Sequence, residues 1–376
     1  MRSIIALVTA LLLVTSLVGG AAGHAAATQP DATYEKCEFP VTVTDATGEE
    51  ITMEERPERV TTTNPSAAQT MWEIGGQAQV VGLTQYALYL DGAESRTDVS
   101  AEFGVSVEKV VGTQPDLVLA PNATQTSSVE AMRDAGLTVY HLREAKTVED
   151  IAKKTTRIGK LTGNCEGAAE ANAWMKANVD AVADVTADAD QPDVLYPLGG
   201  GYVAAGDTFI NAMFRIAGTN NVAAQNHTGY PQLSDEVILK LDPGYIVVND
   251  RNATMLDKEP YASTTAGEEN NSIYLETRWL NQPAPRSVVY TTHNMTAQVH
   301  SDLYSEDTYV AKSEVSVKAE SEVEATEETA TPTATAEPTE TNDATETSEG
   351  SAPGFGVTAA FVAMLAAALV AARVDA

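Results

Sequence analysis

The chain has 376 residues, of which 53 are acidic and 23 basic, for a formal charge of −30. An acidic excess of that size repels phosphate backbones and excludes a nucleic-acid-binding surface. With 43% hydrophobic residues and clear apolar periodicity through residues 37–305, the sequence is too apolar for wholesale disorder, so the acid belongs on the surface of a folded chain.

In chain order, residues 1–27 read as a secretory signal: Arg2 supplies the positive start, residues 4–18 an apolar core, and residues 21–27 small side chains suited to cleavage. The alternative, an N-terminal membrane anchor, needs a longer apolar run. No cysteine directly follows that core, which argues against an N-terminal lipoprotein, so the mature chain is expected to face the outside. Its two cysteines, Cys37 and Cys165, are expected to bridge in an oxidising compartment, the alternative being two buried thiols. No Cys-x-x-Cys or Cys/His spacing points to a metal site.

Residues 37–163 read as a first α/β lobe. Residues 41–45 alternate as a strand and turn at Gly48 into a second. Asn64-Pro65-Ser66 opens a helix containing Met71 and Trp72, and Val80-Val81-Gly82 is a strand running toward Tyr86 and Tyr89. Phe103 and Gly104 precede a short amphipathic helix at Val107. The apolar strand Leu117-Val118-Leu119, a helix over 129–135 and a strand over 139–142 complete the lobe. Alternating strands and helices imply a parallel sheet, whose ligands bind at the carboxyl ends of the strands.

Residues 164–187 read as a single connecting helix. Ala171, Met175, Asn178, Val182 and Val185 fall at 3–4 spacing, and Asn164 is placed to cap the N-terminus. About 20 residues make a rod of roughly 30 Å, enough to join two lobes.

Residues 188–305 repeat the plan. The segment Asp235-Glu236-Val237-Ile238 … Asp242-Pro243-Gly244-Tyr245-Ile246-Val247 parallels Val107-Glu108-Lys109-Val110 … Gln114-Pro115-Asp116-Leu117-Val118-Leu119. Likewise Met213-Phe214-Arg215-Ile216 parallels Met71-Trp72-Glu73-Ile74. The fold expected is therefore two Rossmann-like α/β lobes joined by a long rigid helix. Tyr202, after Gly199-Gly200-Gly201, and Tyr230 and Trp279 all fall in loops after strands, where a bulky ligand could reach them. The glycine run is not a phosphate loop, because no Lys-Ser/Thr follows it and no Gly-x-Gly-x-x-Gly occurs. His141, on an apolar strand, reads as a core residue. No nucleophile elbow or converging acid–base set supports an enzyme.

Several motifs in order carry a resemblance. Thr44-Asp45-Ala46-Thr47-Gly48, Arg56-Pro57-Glu58-Arg59-Val60, Pro65-Ser66-Ala67, Pro115-Asp116-Leu117-Val118-Leu119-Ala120, Ile158-Gly159-Lys160-Leu161-Thr162-Gly163, Tyr230-Pro231-Gln232-Leu233-Ser234 and Pro285-Arg286 resemble the class III substrate-binding proteins of ABC importers, over about residues 41–300. The resemblance implies a receptor, in all expectation monomeric, without enzymatic activity or cofactor, that closes on its ligand between two lobes and delivers it to a permease and its ATPase. The family's ligands include cobalamin, ferric siderophores and haem, and the texture of this chain is nearest the cobalamin type. The cleft is expected between Pro65, Ser66, Tyr86 and Phe103 on one side and Tyr202, Tyr230 and Trp279 on the other. These residues suit a bulky, mostly neutral ligand, so a corrinoid ranks before a ferric siderophore and haem. An anionic siderophore would call for converging arginines, with Arg251, Arg278 and Arg286 the nearby candidates. Family receptors meet permease arginines with one acidic residue per lobe. Glu236 matches the second-lobe position; Gln69 stands where relatives often have Glu, so Glu73 or Glu94 is nominated for the first lobe. An enzyme of the cell envelope, or an adhesive surface protein, is the alternative from another class.

Beyond residue 305 the composition changes. Residues 306–350 read as a disordered acidic stalk rich in Thr, Glu and Pro, with threonines open to O-glycosylation. Asn122, Asn226, Asn252, Asn270 and Asn294 each begin a glycosylation sequon. Within residues 351–376, Pro353-Gly354-Phe355 precedes an apolar run and Arg373. This resembles the PGF-CTERM signal of archaeal surface proteins, where an archaeosortase removes the tail and a membrane lipid anchor is attached; the alternative is a permanent transmembrane helix. The acidic, lysine-poor surface is similar to that of secreted proteins of halophilic archaea, in which salt screens the self-repulsion.

Overall fold

Leu117, Val118, Leu119 and Ala120 are all buried, as a strand covered on both faces must be. The computed structural model describes residues 32–250 and 254–321. The expected signal sequence, the sorting motif at Pro353, Gly354 and Phe355, Arg251 and the sequon at Asn252 lie outside the described residues. All described residues belong to one compact unit.

The chain begins with β1 (Ala32–Tyr34) and an antiparallel hairpin, β2 (Val41–Thr44) and β3 (Glu50–Met53). It continues through β4 (Val60–Thr62), α1 (Pro65–Glu73), β5 (Val80–Leu83), β6 (Thr97–Asp98), α2 (Val107–Gly112), β7 (Leu117–Ala120), α3 (Thr126–Asp134) and β8 (Val139–His141). Strands β6-β5-β4-β7-β8 form a parallel sheet in that order. Two helices follow, α4 (Val148–Thr162) and α5 (Cys165–Thr186). The second lobe comprises β9 (Asp193–Leu195), β10 (Pro197–Gly199), β11 (Tyr202–Val203), α6 (Phe209–Ile216), β12 (Asn220–Asn221), α7 (Asp235–Leu241), β13 (Tyr245–Val248), α8 (Thr265–Glu268), β14 (Ser272–Tyr274), α9 (Thr277–Leu280) and α10 (Pro285–Val299). Its parallel sheet runs β12-β9-β13-β14.

The duplication is physical. Both sheets order their shared strands second, first, third, fourth: β5-β4-β7-β8 and β12-β9-β13-β14. Both repeat helices start on a serine cap, Ser106 accepting from the Lys109 amide and Ser234 from the Val237 amide. Both are followed by a left-handed residue just before a proline, Gln114 at φ 48° and Asp242 at φ 42°. The match is looser at β12, which ends at Asn221, so that Val222 opens a 3₁₀ turn where Val80 begins a strand.

The connection differs from the single rod expected over 164–187. It is a helical hairpin, and both helices cross between the lobes. Ile151 on α4 packs in the second-lobe core, whereas Ile158 and Leu161 pack in the first. On the return, Ala168 and Ala171 of α5 lie in the first core and Trp174 and Met175 in the second. The helices cross at Gly159, where a Cβ would lie 2.5 Å from that of Ala168. Asn164 does not cap α5 with its side chain. Its amide donates to Gln79 Oε1 at 2.7 Å and its carbonyl accepts from Arg56 at 3.0 Å, sewing the helical turn to the first lobe. A Cys37–Cys165 disulfide, with Cα atoms 5.5 Å apart, pins the same turn.

A solvated stalk does not begin at 306. Residues 306–321 pack along α5 and end in β15 (Val317–Ala319), which pairs in parallel with β1. The fold therefore also includes residues 32–36, ahead of the boundary expected at Cys37.

Candidate functional site

The loops leaving the carboxyl ends of the two sheets meet in a seam. Tyr89, beyond β5, and Trp279, beyond β14, lie edge to face with centroids 5.5 Å apart, and Tyr290 on α10 closes on the same indole at 5.1 Å. The guanidinium of Arg278 lies 5.1 Å from the indole centroid and that of Arg286 5.9 Å. Trp279 is thus a half-buried ring held by both lobes.

Beneath it lie buried polar residues. Asn64 caps α1 by accepting from the Ser66 amide, and Pro65 supplies a fixed φ at the first turn. Pro65 and Ser66 were expected on the cleft floor, but both are buried. Ser66 Oγ accepts from Lys154 Nζ at 2.9 Å, and the same ammonium donates to the Pro283 carbonyl at 2.9 Å, so one α4 side chain joins α1 to the approach to α10. Burial alone lowers the Lys154 pKa to about 7. Gln69 is fully buried: its Nε2 donates to Tyr89 Oη at 2.8 Å and its Oε1 accepts from the amide and hydroxyl of Ser287. The side-chain amide thus donates to one lobe's tyrosine and accepts from the other lobe's serine.

Glu73, nominated for docking, is also buried and is corrected to a structural role. Its carboxylate pairs with Arg286 and Lys312, and Lys312 also donates to its backbone carbonyl. Arg278 is paired with Glu276. Both described arginines beside Trp279 therefore have their charge matched internally.

The remaining expected residues are on the surface. Tyr86, after β5, is 63% exposed and Phe103, at the tip of the loop after β6, 85%. Tyr202, on the β10–β11 hairpin, is 48% exposed, and Tyr230, after β12, 43%. The hairpin needs its glycines, because Gly199, Gly200 and Gly201 all have positive φ, at 94°, 60° and 81°. Leu88 and Leu198 add exposed apolar surface that the sequence reading missed, since single leucines in a short turn or a three-residue strand carry no periodic signal. Burial raises the Tyr89 phenol to about 12, so it stays neutral at ordinary pH. Glu94 and Glu236 are exposed, the latter in the first turn of α7. The site thus offers aromatic faces and neutral hydroxyls, and among the described residues Arg278 and Arg286 are already paired.

Comparison with known proteins agrees with this architecture. A family model described as periplasmic binding protein matches residues 60–278. A protein of Halobacterium salinarum named cobalamin-binding protein is 43% identical over 299 residues, covering 74% of this chain and 81% of that one. Among solved structures, the periplasmic vitamin B12 binding protein BtuF of Vibrio cholerae superposes with a TM-score of 0.57 at 21% identity, over 66% of this chain and 99% of its own. The heme-binding protein RhuT of Roseiflexus sp. RS-1 gives 0.58 at 21%, over 64% and 98%.

Proposed function

Because the chain belongs to the periplasmic binding protein family, we propose that it is the receptor of an ABC importer that takes a corrinoid such as cobalamin between its lobes. Two observations support the ligand class: the exposed rings at Tyr86, Phe103, Tyr202 and Tyr230, and a seam whose Arg286 and Arg278 are neutralised by Glu73 and Glu276. Large neutral faces suit a bulky ring system, whereas a carboxylate-rich ferric siderophore would have to break one of those ion pairs. The similarity to a relative named for cobalamin supports the same reading. The receptor binds, orients and releases its ligand without covalent chemistry. The direct test is titration with cobalamin, haem and a ferric siderophore in molar salt, read by tryptophan fluorescence. Micromolar or tighter cobalamin binding, weakened at least tenfold by replacing both Tyr202 and Tyr230 with alanine, is expected. Binding of haem or siderophore but no corrinoid would move the assignment within the family.

We further infer that the receptor is a monomer held at the outer membrane face, its tail processed after about Phe355 and replaced by a lipid. Among the sequons, Asn226 and Asn270 are exposed with exposed hydroxyl partners, Thr228 and Ser272. The Asn122 partner Thr124 is buried against Thr63, and Asn294 lies inside α10 with Thr296 buried. Mass spectrometry of native protein is expected to find the C-terminus truncated and glycans confined to sites such as Asn226 and Asn270. An intact Ala376 would favour a transmembrane anchor instead.

A further inference from the structure

The segment after α10 returns along the whole connecting hairpin. At its start, Tyr304 Oη lies 2.9 Å from Nδ1 of the buried His293 of α10. Val310 then meets the second-lobe half of α5: its amide donates to Asn178 Oδ1 at 3.0 Å, and its carbonyl accepts from Asn178 Nδ2 at 3.0 Å and from Trp174 Nε1 at 2.9 Å. Asn178 is fully buried, and its side-chain amide pairs with this backbone as a neighbouring strand would. Two residues on, Lys312 reaches Glu73 on α1 of the first lobe. The segment ends as β15, paired with β1 at Ala32↔Val317 and Tyr34↔Ala319, beside the disulfide that fixes Cys37 to Cys165.

We propose that residues 304–319 form a strap fastened to both lobes across the connecting hairpin, and that it limits how far the lobes part when the ligand leaves. Opening the lobes about α4 and α5 pulls the Val310 fastening, on the second-lobe half of α5, away from the Lys312 fastening on α1 of the first lobe. The strap has only Ala311 between its inner fastenings, so its slack is limited to the reach of the Lys312 side chain, and wider opening releases one of them. It works alongside the Gln69–Ser287 and Lys154 contacts at the seam. The inference does not depend on which ligand is bound.

The test measures opening in the ligand-free full-length chain in molar salt. Spin labels are placed at Glu130→Cys on α3 and Glu268→Cys on α8, both exposed, with the native disulfide left oxidised. Asn178→Leu is expected to speed hydrogen exchange at the Val310 amide at least tenfold and to widen the interlobe distance distribution at least twofold, toward longer distances. Lys312→Ala, a change at a partly exposed side chain, is expected to shift the distribution the same way by a smaller amount. Unchanged distributions in both variants overturn the strap, and so does a Val310 amide that stays protected in Asn178→Leu.

Discussion

Lys154 is the clearest case in which one residue sets a property of the molecule. Its ammonium is buried between Ser66 Oγ and the Pro283 carbonyl, and burial depresses its pKa from 10.5 to about 7. The unfolded chain therefore holds a proton that the folded chain lacks between about pH 7 and 10.5. Because the unfolded state binds more protons there, stability rises with pH across that window, and it loses this contribution as pH falls toward 7. The span is on the order of a few kcal/mol. Chemical denaturation in molar salt is expected to show the rise in the native chain and its absence in Lys154→Met. An equal rise in the variant would assign the pH dependence to another group. Neither Lys154 nor Gln69 was legible as a seam residue, because each sits in a helix as an ordinary polar residue. What makes them special is partners far along the chain, Pro283 and Ser287.

Among the elements, the connection is where sequence reasoning and structure part. The 3–4 spacing correctly implies a helix over α5, but spacing within one helix cannot reveal that α4 crosses between the lobes too. Two crossing helices locked at Gly159 and Ala168 make a stiffer joint than one. The Cys37–Cys165 bridge fastens the turn of this hairpin to the N-terminal strand region. It spans a sequence separation of 128 residues, for which the chain-entropy model gives about 4–5 kcal/mol. Replacing both cysteines by serine is expected to lower the unfolding free energy by that order. A loss below about 1 kcal/mol would mean that the β1–β15 pairing holds the end without it.

At the scale of the whole molecule, two parallel sheets of like strand order meet at a shared seam in a strongly acidic chain. For a receptor of this kind, recognition by a permease needs charge that is free on the outside. Glu73 is consumed inside, which leaves Glu236 on the second lobe and Glu94 on the first. Glu236→Arg is expected to leave ligand affinity unchanged and to abolish uptake in cells, because it reverses an exposed charge in the first turn of α7 and touches none of the seam's hydrogen bonds or ion pairs. Uptake at the native rate would remove Glu236 from the docking surface.

The sequence by itself determined the class of the fold. Apolar runs such as Leu117-Val118-Leu119-Ala120 and Ile246-Val247-Val248 can be satisfied only inside covered parallel sheets, and the paired motifs repeat that requirement twice. The expectation of loops for all three second-lobe aromatics fits Tyr230, whereas Tyr202 opens β11 and Trp279 lies in the short helix α9, elements too brief to leave a period. Only the tertiary structure decided which of those residues remain free. Ser66 and Glu73 are claimed by Lys154, Arg286 and Lys312, and Trp279 is enclosed by Tyr89 and Tyr290. The segment past residue 305 is rich in charge, yet Val310, Val317 and Ala319 find a buried amide and a strand to pair with. Burial and pairing depend on groups more than a hundred residues apart, and such distances leave no periodic trace in the chain.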